Sequence, residues 1–130
     1  MSHIFPKTLI HEFSSFVAVI LKFAIKIDKM KFVSAAEVNN NKELYYIVDI
    51  REAYEYDACH INCPNIPMAN FIERLEEMPT NKNIALLCNS GNRSSALANL
   101  LITENKLNNI YIITGGIIAW KEEVDNSLNL

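Results

Sequence analysis

Ile84-Ala85-Leu86-Leu87-Cys88-Asn89-Ser90-Gly91-Asn92-Arg93-Ser94 is the stretch on which the fold turns. Four apolar residues in a row, without alternation, read as a short strand buried on both faces. A polar loop, Cys88 to Arg93, follows at once, and Ser94 to Asn105 then carries Leu97, Leu100 and Leu101 at helical spacing. Two more runs of the same kind lie outward from it, Tyr45-Tyr46-Ile47-Val48 ending at Asp49, and Ile110-Tyr111-Ile112-Ile113. Helical signals fill the intervals. Ser34-Ala35-Ala36-Glu37 is a capping box that opens a helix stopping in Asn39-Asn40-Asn41. Glu52 to Tyr56 suits one helical turn, and Ala69 to Glu77 is spaced as a helix through Phe71, Ile72 and Leu75 until Pro79 ends it. Ile61 to Ile66, broken by Pro64 and followed by Pro67, reads as a short edge strand or loop. Gly115-Gly116 turns the chain into a last helix carrying Trp120. Apolar strands alternating with helices predict an α/β domain, a central parallel sheet with helices on both faces.

At 130 residues the chain is one domain in size, and half of it is hydrophobic, enough for a real core. A net charge of −3 gives no electrostatic footprint for nucleic acid. The three cysteines, Cys59, Cys63 and Cys88, are an odd number and not a secreted disulfide framework, so reduced thiols and a cytoplasmic location are expected. Cys59, His60 and Cys63 cluster, but zinc needs about four ligands and a second pair is missing. No metal and no cofactor are assigned. The domain pattern occupies residues 30–125, between an apolar N-terminal helical extension, 1–29, and a tail, 126–130. Within the extension, FVAVILKFAIKI (16–27) falls short of the roughly 20 apolar residues of a membrane span, and Lys22 and Lys26 interrupt it. As a helix it shows a narrow stripe of Ser15, Ala18, Lys22, Lys26 and Lys29, apolar elsewhere. Three readings stay open: packing on its own domain, burial in a homodimer or at a membrane surface over residues 10–27, or translation that begins at Met30.

In open parallel sheets, ligands gather at the carboxyl ends of the strands, where Cys88-Asn89-Ser90-Gly91-Asn92-Arg93-Ser94 lies. A loop of small polar residues there can turn successive amides inward as an anion cradle, helped by the positive end of the following helix. Arg93 adds a formal positive charge. A cysteine in that setting favours its reactive thiolate and becomes a nucleophile. The plainer reading, a buried small residue ending a strand, is also open for Cys88.

From Ile47 to Trp120 the chain resembles the rhodanese family. IVDIRE (47–52) is similar to the family's Asp-x-Arg strand end, and EYDACHI (55–61) to its Glu-Tyr-x-x-Gly-His-Ile segment. NIP (65–67), CNSGNRS (88–94) and GGIIAW (115–120) follow in the family's order. The resemblance implies that Cys88 is the catalytic residue, accepting a sulfane sulfur as a persulfide. It implies that the amides of Asn89, Ser90, Gly91, Asn92, Arg93 and Ser94 surround that sulfur as the substrate-binding loop. Asp49 and Arg51 then support the loop, Trp120 packs, and His60 hydrogen-bonds without acting as a base. The Cys-x4-Arg spacing resembles the sulfurtransferase branch, whereas phosphatase relatives use Cys-x5-Arg.

Two departures matter. Asn89 stands where many members carry an arginine, which disfavours a dianion such as thiosulfate and points toward persulfide donors. Cys59 replaces the usual glycine, and the stretch onward to Asn65 is one residue short. The expected activity is rhodanese-type sulfur transfer, from thiosulfate or a persulfide to a thiol, a protein or cyanide. The alternative is a sulfur-relay or protein-binding module without turnover, with a phosphatase or arsenate reductase ranked last. Cys59 and Cys63 are expected as structural thiols, the sharper alternative being that one resolves a Cys88 persulfide as a disulfide.

Overall fold

The computed structural model describes residues 14–130. The part of the N-terminal extension before Ser14, including the start of the membrane-contact segment at 10–13, lies outside the described residues. In chain order the elements are α1 (Ser14–Lys29), β1 (Lys31–Val33), α2 (Ala35–Asn40), β2 (Tyr45–Asp49), α3 (Ala53–Ala58), β3 (Asn83–Leu87), α4 (Asn92–Thr103), β4 (Ile110–Ile113) and α5 (Gly116–Glu123). The four strands form one sheet in the order β1-β4-β3-β2, and every pairing is parallel.

Alternation along β3 shows how the sheet is covered, because successive side chains point to opposite faces. Ile84 and Leu86 join Phe71 and the α4 residues Leu97, Ala98, Leu101 and Ile102 in one buried cluster. Ala85 and Leu87 face the other way, onto Ala35 and Val38 of α2 and Ile117 and Trp120 of α5. Helices on both faces of a parallel sheet are therefore present as expected, and the continuous apolar runs are the trace of this double burial.

Three differences from the sequence reading have local causes. Strand β1 was not anticipated: it is three residues long, and its register, Lys31 opposite Tyr111 through Val33 opposite Ile113, comes from β4 and not from its own pattern. The Ala69–Glu77 region forms two 3-10 pieces, Met68–Asn70 and Ile72–Glu77, with Arg74 at φ −109°, in place of one α-helix. Of the Ser34/Glu37 box only one half forms: the Glu37 amide donates to Ser34 Oγ at 3.0 Å, while the Glu37 carboxylate accepts from Asn41.

The stretch 61–66 pairs with the outer edge of β2 through a single bridge, Asp49 to Asn65. The Asp49 amide donates to Pro64 O, and the amides of Ile66 and Met68 donate to Asp49 O and Ile50 O. This covers an edge that would otherwise offer unpaired groups. Helix α1 runs beside α4. Its residues Ser15 to Lys22 are exposed, with Phe16 75% accessible, so the domain leaves that part of the apolar face uncovered. Among the described residues no helix is long and apolar enough to cross a membrane.

Candidate active site

β3 is flanked by β2 and β4, so the chain leaves its carboxyl end between two other strand ends. The Ile50 amide donates to Leu87 O at 2.8 Å, extending the pairing to the last residue before Cys88. The loop then reverses at Gly91, which sits at φ +105° as the N-cap of α4, a left-handed conformation that side chains disfavour. This turn folds the loop back over the Cys88 side chain. The Gly91 amide donates to Cys88 Sγ at 3.1 Å, and the Ser94 amide, in the first turn of α4, donates at 3.4 Å. Two hydrogens aimed at one sulfur at a helix N-terminus form an anion-accepting arrangement.

Cys88 itself is 1% exposed, more enclosed than the part-exposed setting that a reactive cysteine suggests. Asn89, Ser90 and Asn92 are exposed at the rim, and among the described residues no side-chain hydrogen bond engages them. The loop is clamped from below by α5. Gly116, at φ +60°, lets the helix start directly under the loop, so that the Ile117 amide donates to Cys88 O at 2.8 Å and the Ile118 amide to Asn89 O at 3.3 Å.

Ser94 is fully buried, and its Oγ has no hydrogen-bond partner among the described residues. A buried hydroxyl without a partner forfeits its hydration for nothing in return. Ser94→Ala is therefore expected to leave the melting temperature unchanged or raise it, with up to about 1 kcal/mol gained. A thermal scan checks this, and a drop of several degrees would show that the hydroxyl has a partner after all.

Arg93 does not stand as a free charge. Its two terminal nitrogens donate to the Glu55 carboxylate at 2.6 and 2.9 Å, a bidentate pair joining the loop to α3. Those hydrogen bonds from Arg93 lower the Glu55 carboxyl from 4.5 to about 2, against the opposing effect of burial. A lowered carboxyl stabilises the fold above its unfolded value and loses that contribution in acid. The bridge is thus fully effective above pH 4.5 and is lost as pH falls through about 2. Acid titration of thermal stability in wild type and Glu55→Gln is expected to differ in that window, and parallel curves would refute it.

Arg51 and Asp49 form a second, buried pair. Arg51 Nε and Nη2 donate to the Asp49 carboxylate at 3.0 and 2.7 Å, and Nη2 also reaches Cys59 O at 2.8 Å. Asn65 Nδ2 ties the Asp49 and Arg51 carbonyls together. This network fixes the segment that carries Glu55 and so supports Arg93 at one remove. His60 stacks on Tyr56 with ring centroids 4.0 Å apart, and its Nδ1 lies 2.7 Å from Tyr56 O. No hydrogen bond joins it to Cys88.

Cys63 packs in the cluster with Leu87 and Trp120, while Cys88 belongs to the cluster on the other sheet face. Burial pushes the Cys63 thiol up to about 12, which suits a structural thiol and not an attacking one. Glu55 is the site residue that the sequence reading did not single out. It lies 38 positions from Arg93, beyond any local spacing rule, and only the quoted EYDACHI segment marked its neighbourhood.

Known proteins are similar to this chain in sequence and in fold. The chain is 30% identical over 92 residues to the uncharacterized protein YqhL of Bacillus subtilis (strain 168), covering 70% of this chain and 72% of that one. It is 27% identical over 100 residues to the adenylyltransferase and sulfurtransferase UBA4 of Candida glabrata, covering 68% of this chain but only 22% of that protein's length. The crystal structure of a rhodanese-related protein from Thermoplasma volcanium superposes with a TM-score of 0.63 and 32% identity, over 77% of this chain and 98% of that one. The sequence also matches the family model of the rhodanese-like domain over residues 34–123, from the cap of α2 to the end of α5, a span that holds all four parts of the site: the Asp49–Arg51 pair, Glu55, the Cys88 loop and the Gly115-Gly116 turn. By fold, by motif order and by this match, the chain belongs to the rhodanese-like domain family.

Proposed function

We propose that this domain is a sulfurtransferase that moves a sulfane sulfur, from thiosulfate or a persulfide to a thiol, a protein or cyanide, through a persulfide on Cys88. The observation that carries the reading is the pair of amides, Gly91 and Ser94, directed at Cys88 Sγ. Cys88 thiolate attacks the outer sulfur of the donor. The new S–S bond forms as the donor's own bond to that sulfur breaks, and the electron pair leaves with sulfite or a thiolate. Amides of the Asn89–Ser94 loop then stabilise the anion of Cys88–S–S⁻. An acceptor thiolate or cyanide attacks the terminal sulfur, and Cys88 thiolate is released for another cycle. No external oxidant or reductant enters, and ping-pong kinetics follow from the covalent intermediate.

A relay without turnover on small acceptors is the second reading, favoured by the 1% exposure of Cys88. Fast delivery to one protein thiol combined with very slow turnover on cyanide would select it. The free state of Cys59, Cys63 and Cys88 suits a reducing, cytoplasmic setting. The primary test is the intact mass of reduced protein after incubation with thiosulfate or a persulfide. A gain of one sulfur atom supports the reading, and no gain from any donor refutes it.

A further inference from the structure

We propose that Glu55 sets donor specificity by cancelling the charge of Arg93, making the site selective for monoanionic organic persulfides over thiosulfate. The proposal rests on the sulfur-transfer reading and deepens it. The loop carries one formal cation, and both of its terminal nitrogens are taken by the Glu55 carboxylate. The position after Cys88 holds Asn89, which brings no charge. Arg51, the neighbouring cation, is bound to Asp49 in a buried pair. A donor approaching Cys88 therefore meets backbone amides and a cation already matched by Glu55, while Arg51 is buried on Asp49.

A matched pair acts at a distance as a dipole and falls off faster than the single charge that either partner would present. The consequence scales with donor charge. A dianion gains most from an open cation and loses most when that cation is cancelled, whereas a monoanionic persulfide loses half as much. An exposed carbon-rich residue also borders the loop: Ile118, whose amide donates to Asn89 O. It offers contact to the organic body of a thiol persulfide, which thiosulfate lacks. The Glu55 carboxylate stays ionised well below neutral pH, so the cancellation persists through the physiological range.

The decisive comparison is Glu55→Gln, which keeps an acceptor for Arg93 and removes the negative charge. An uncovered unit charge at a partly exposed site changes rates by about fivefold per unit of donor charge. With thiosulfate kcat/KM is expected to rise about 25-fold, and with cysteine persulfide about fivefold, so the ratio shifts about fivefold toward thiosulfate. Asn89→Arg adds a cation without touching the bridge and is expected to shift the ratio the same way, which keeps the test sound if Glu55→Gln folds poorly. An unchanged ratio in both variants, or a shift toward the persulfide, would overturn the proposal.

Alkylation of Cys88 provides a readout independent of sulfur chemistry. The rate ratio of iodoacetate to iodoacetamide is expected to rise about fivefold in Glu55→Gln, because only the former carries charge. If wild type takes sulfur from neither donor, the sulfurtransferase reading fails while the alkylation ratio still decides the electrostatic role of Glu55.

Discussion

Replacing Cys88 by serine is expected to abolish sulfur uptake and to cut transfer to cyanide by at least about a thousandfold, with the fold intact. The two expectations come from one geometry. Cys88 Sγ, itself buried, accepts the Gly91 and Ser94 amides, and a serine oxygen accepts the same two hydrogens. The change in stability therefore stays within about 1 kcal/mol, as for substitutions that neither open a large cavity nor orphan a polar group. Chemistry is affected differently. A serine hydroxyl is not ionised near neutral pH, and it forms no bond with a sulfane sulfur that an acceptor thiolate can reopen. Intact mass after donor treatment measures uptake, and thiocyanate production measures turnover. If Cys88→Ser still gained sulfur, the atom would reside on Cys59 or Cys63, and the loop would lose its assigned role. If uptake vanished along with the folded state, the enclosure would be holding the loop together through the sulfur itself.

The extent to which the sequence revealed this site follows from the range of the interactions. β2, β3 and β4 were readable because burial on both faces leaves unbroken apolar runs, and double burial is what the two clusters show. β1 was not readable, because Lys31–Val33 takes its strand character from pairing with Tyr111–Ile113, eighty positions away. The 3-10 geometry of Ile72–Glu77 was equally hidden: spacing marks the apolar face of a helix but not how tightly it winds. At the site, the position of Cys88 at a strand end and the amide-lined loop were local features, and both could be read from the run of residues 84–94.

The charge state of the loop could not be read in the same way. Arg93 looked like a free cation because its partner is brought in by the fold, through α3 and the Asp49–Arg51–Cys59 network. Three of the residues named as support separate on the same ground. Asp49 and Arg51 are buried and hold backbone around Glu55, whereas His60 is exposed and bound to Tyr56. Local sequence thus places the proposed nucleophile, Cys88, at its strand end, and long-range pairing decides which charges surround its loop.

Gly116→Ala is expected to lower stability by about 3 kcal/mol or more and to cut sulfur transfer by about a hundredfold in the fraction that remains folded. A Cβ on Gly116 would lie 2.4 Å from both Cys88 O and Asn89 O and 2.5 Å from Asn89 C, all backbone atoms with no side chain to swing aside. Its φ of +60° adds the cost of a left-handed conformation. Relief requires α5 to move away from the loop, and that movement lengthens the Ile117 and Ile118 hydrogen bonds that hold Cys88 O and Asn89 O. Displacement of the loop then misaims the Gly91 and Ser94 amides, and a misplacement of about 1 Å is enough for a loss of this size. Gly115→Ala supplies the control. It shares the left-handed strain at φ +76°, but its Cβ would meet only Ala119, at 2.7 Å from that methyl. Both variants are expected to melt earlier, while only Gly116→Ala loses transfer when rates are compared well below either melting temperature. Equal transfer in the two would mean that the α5 clamp holds the fold without aiming the loop, and that the amides keep their direction through α4 alone.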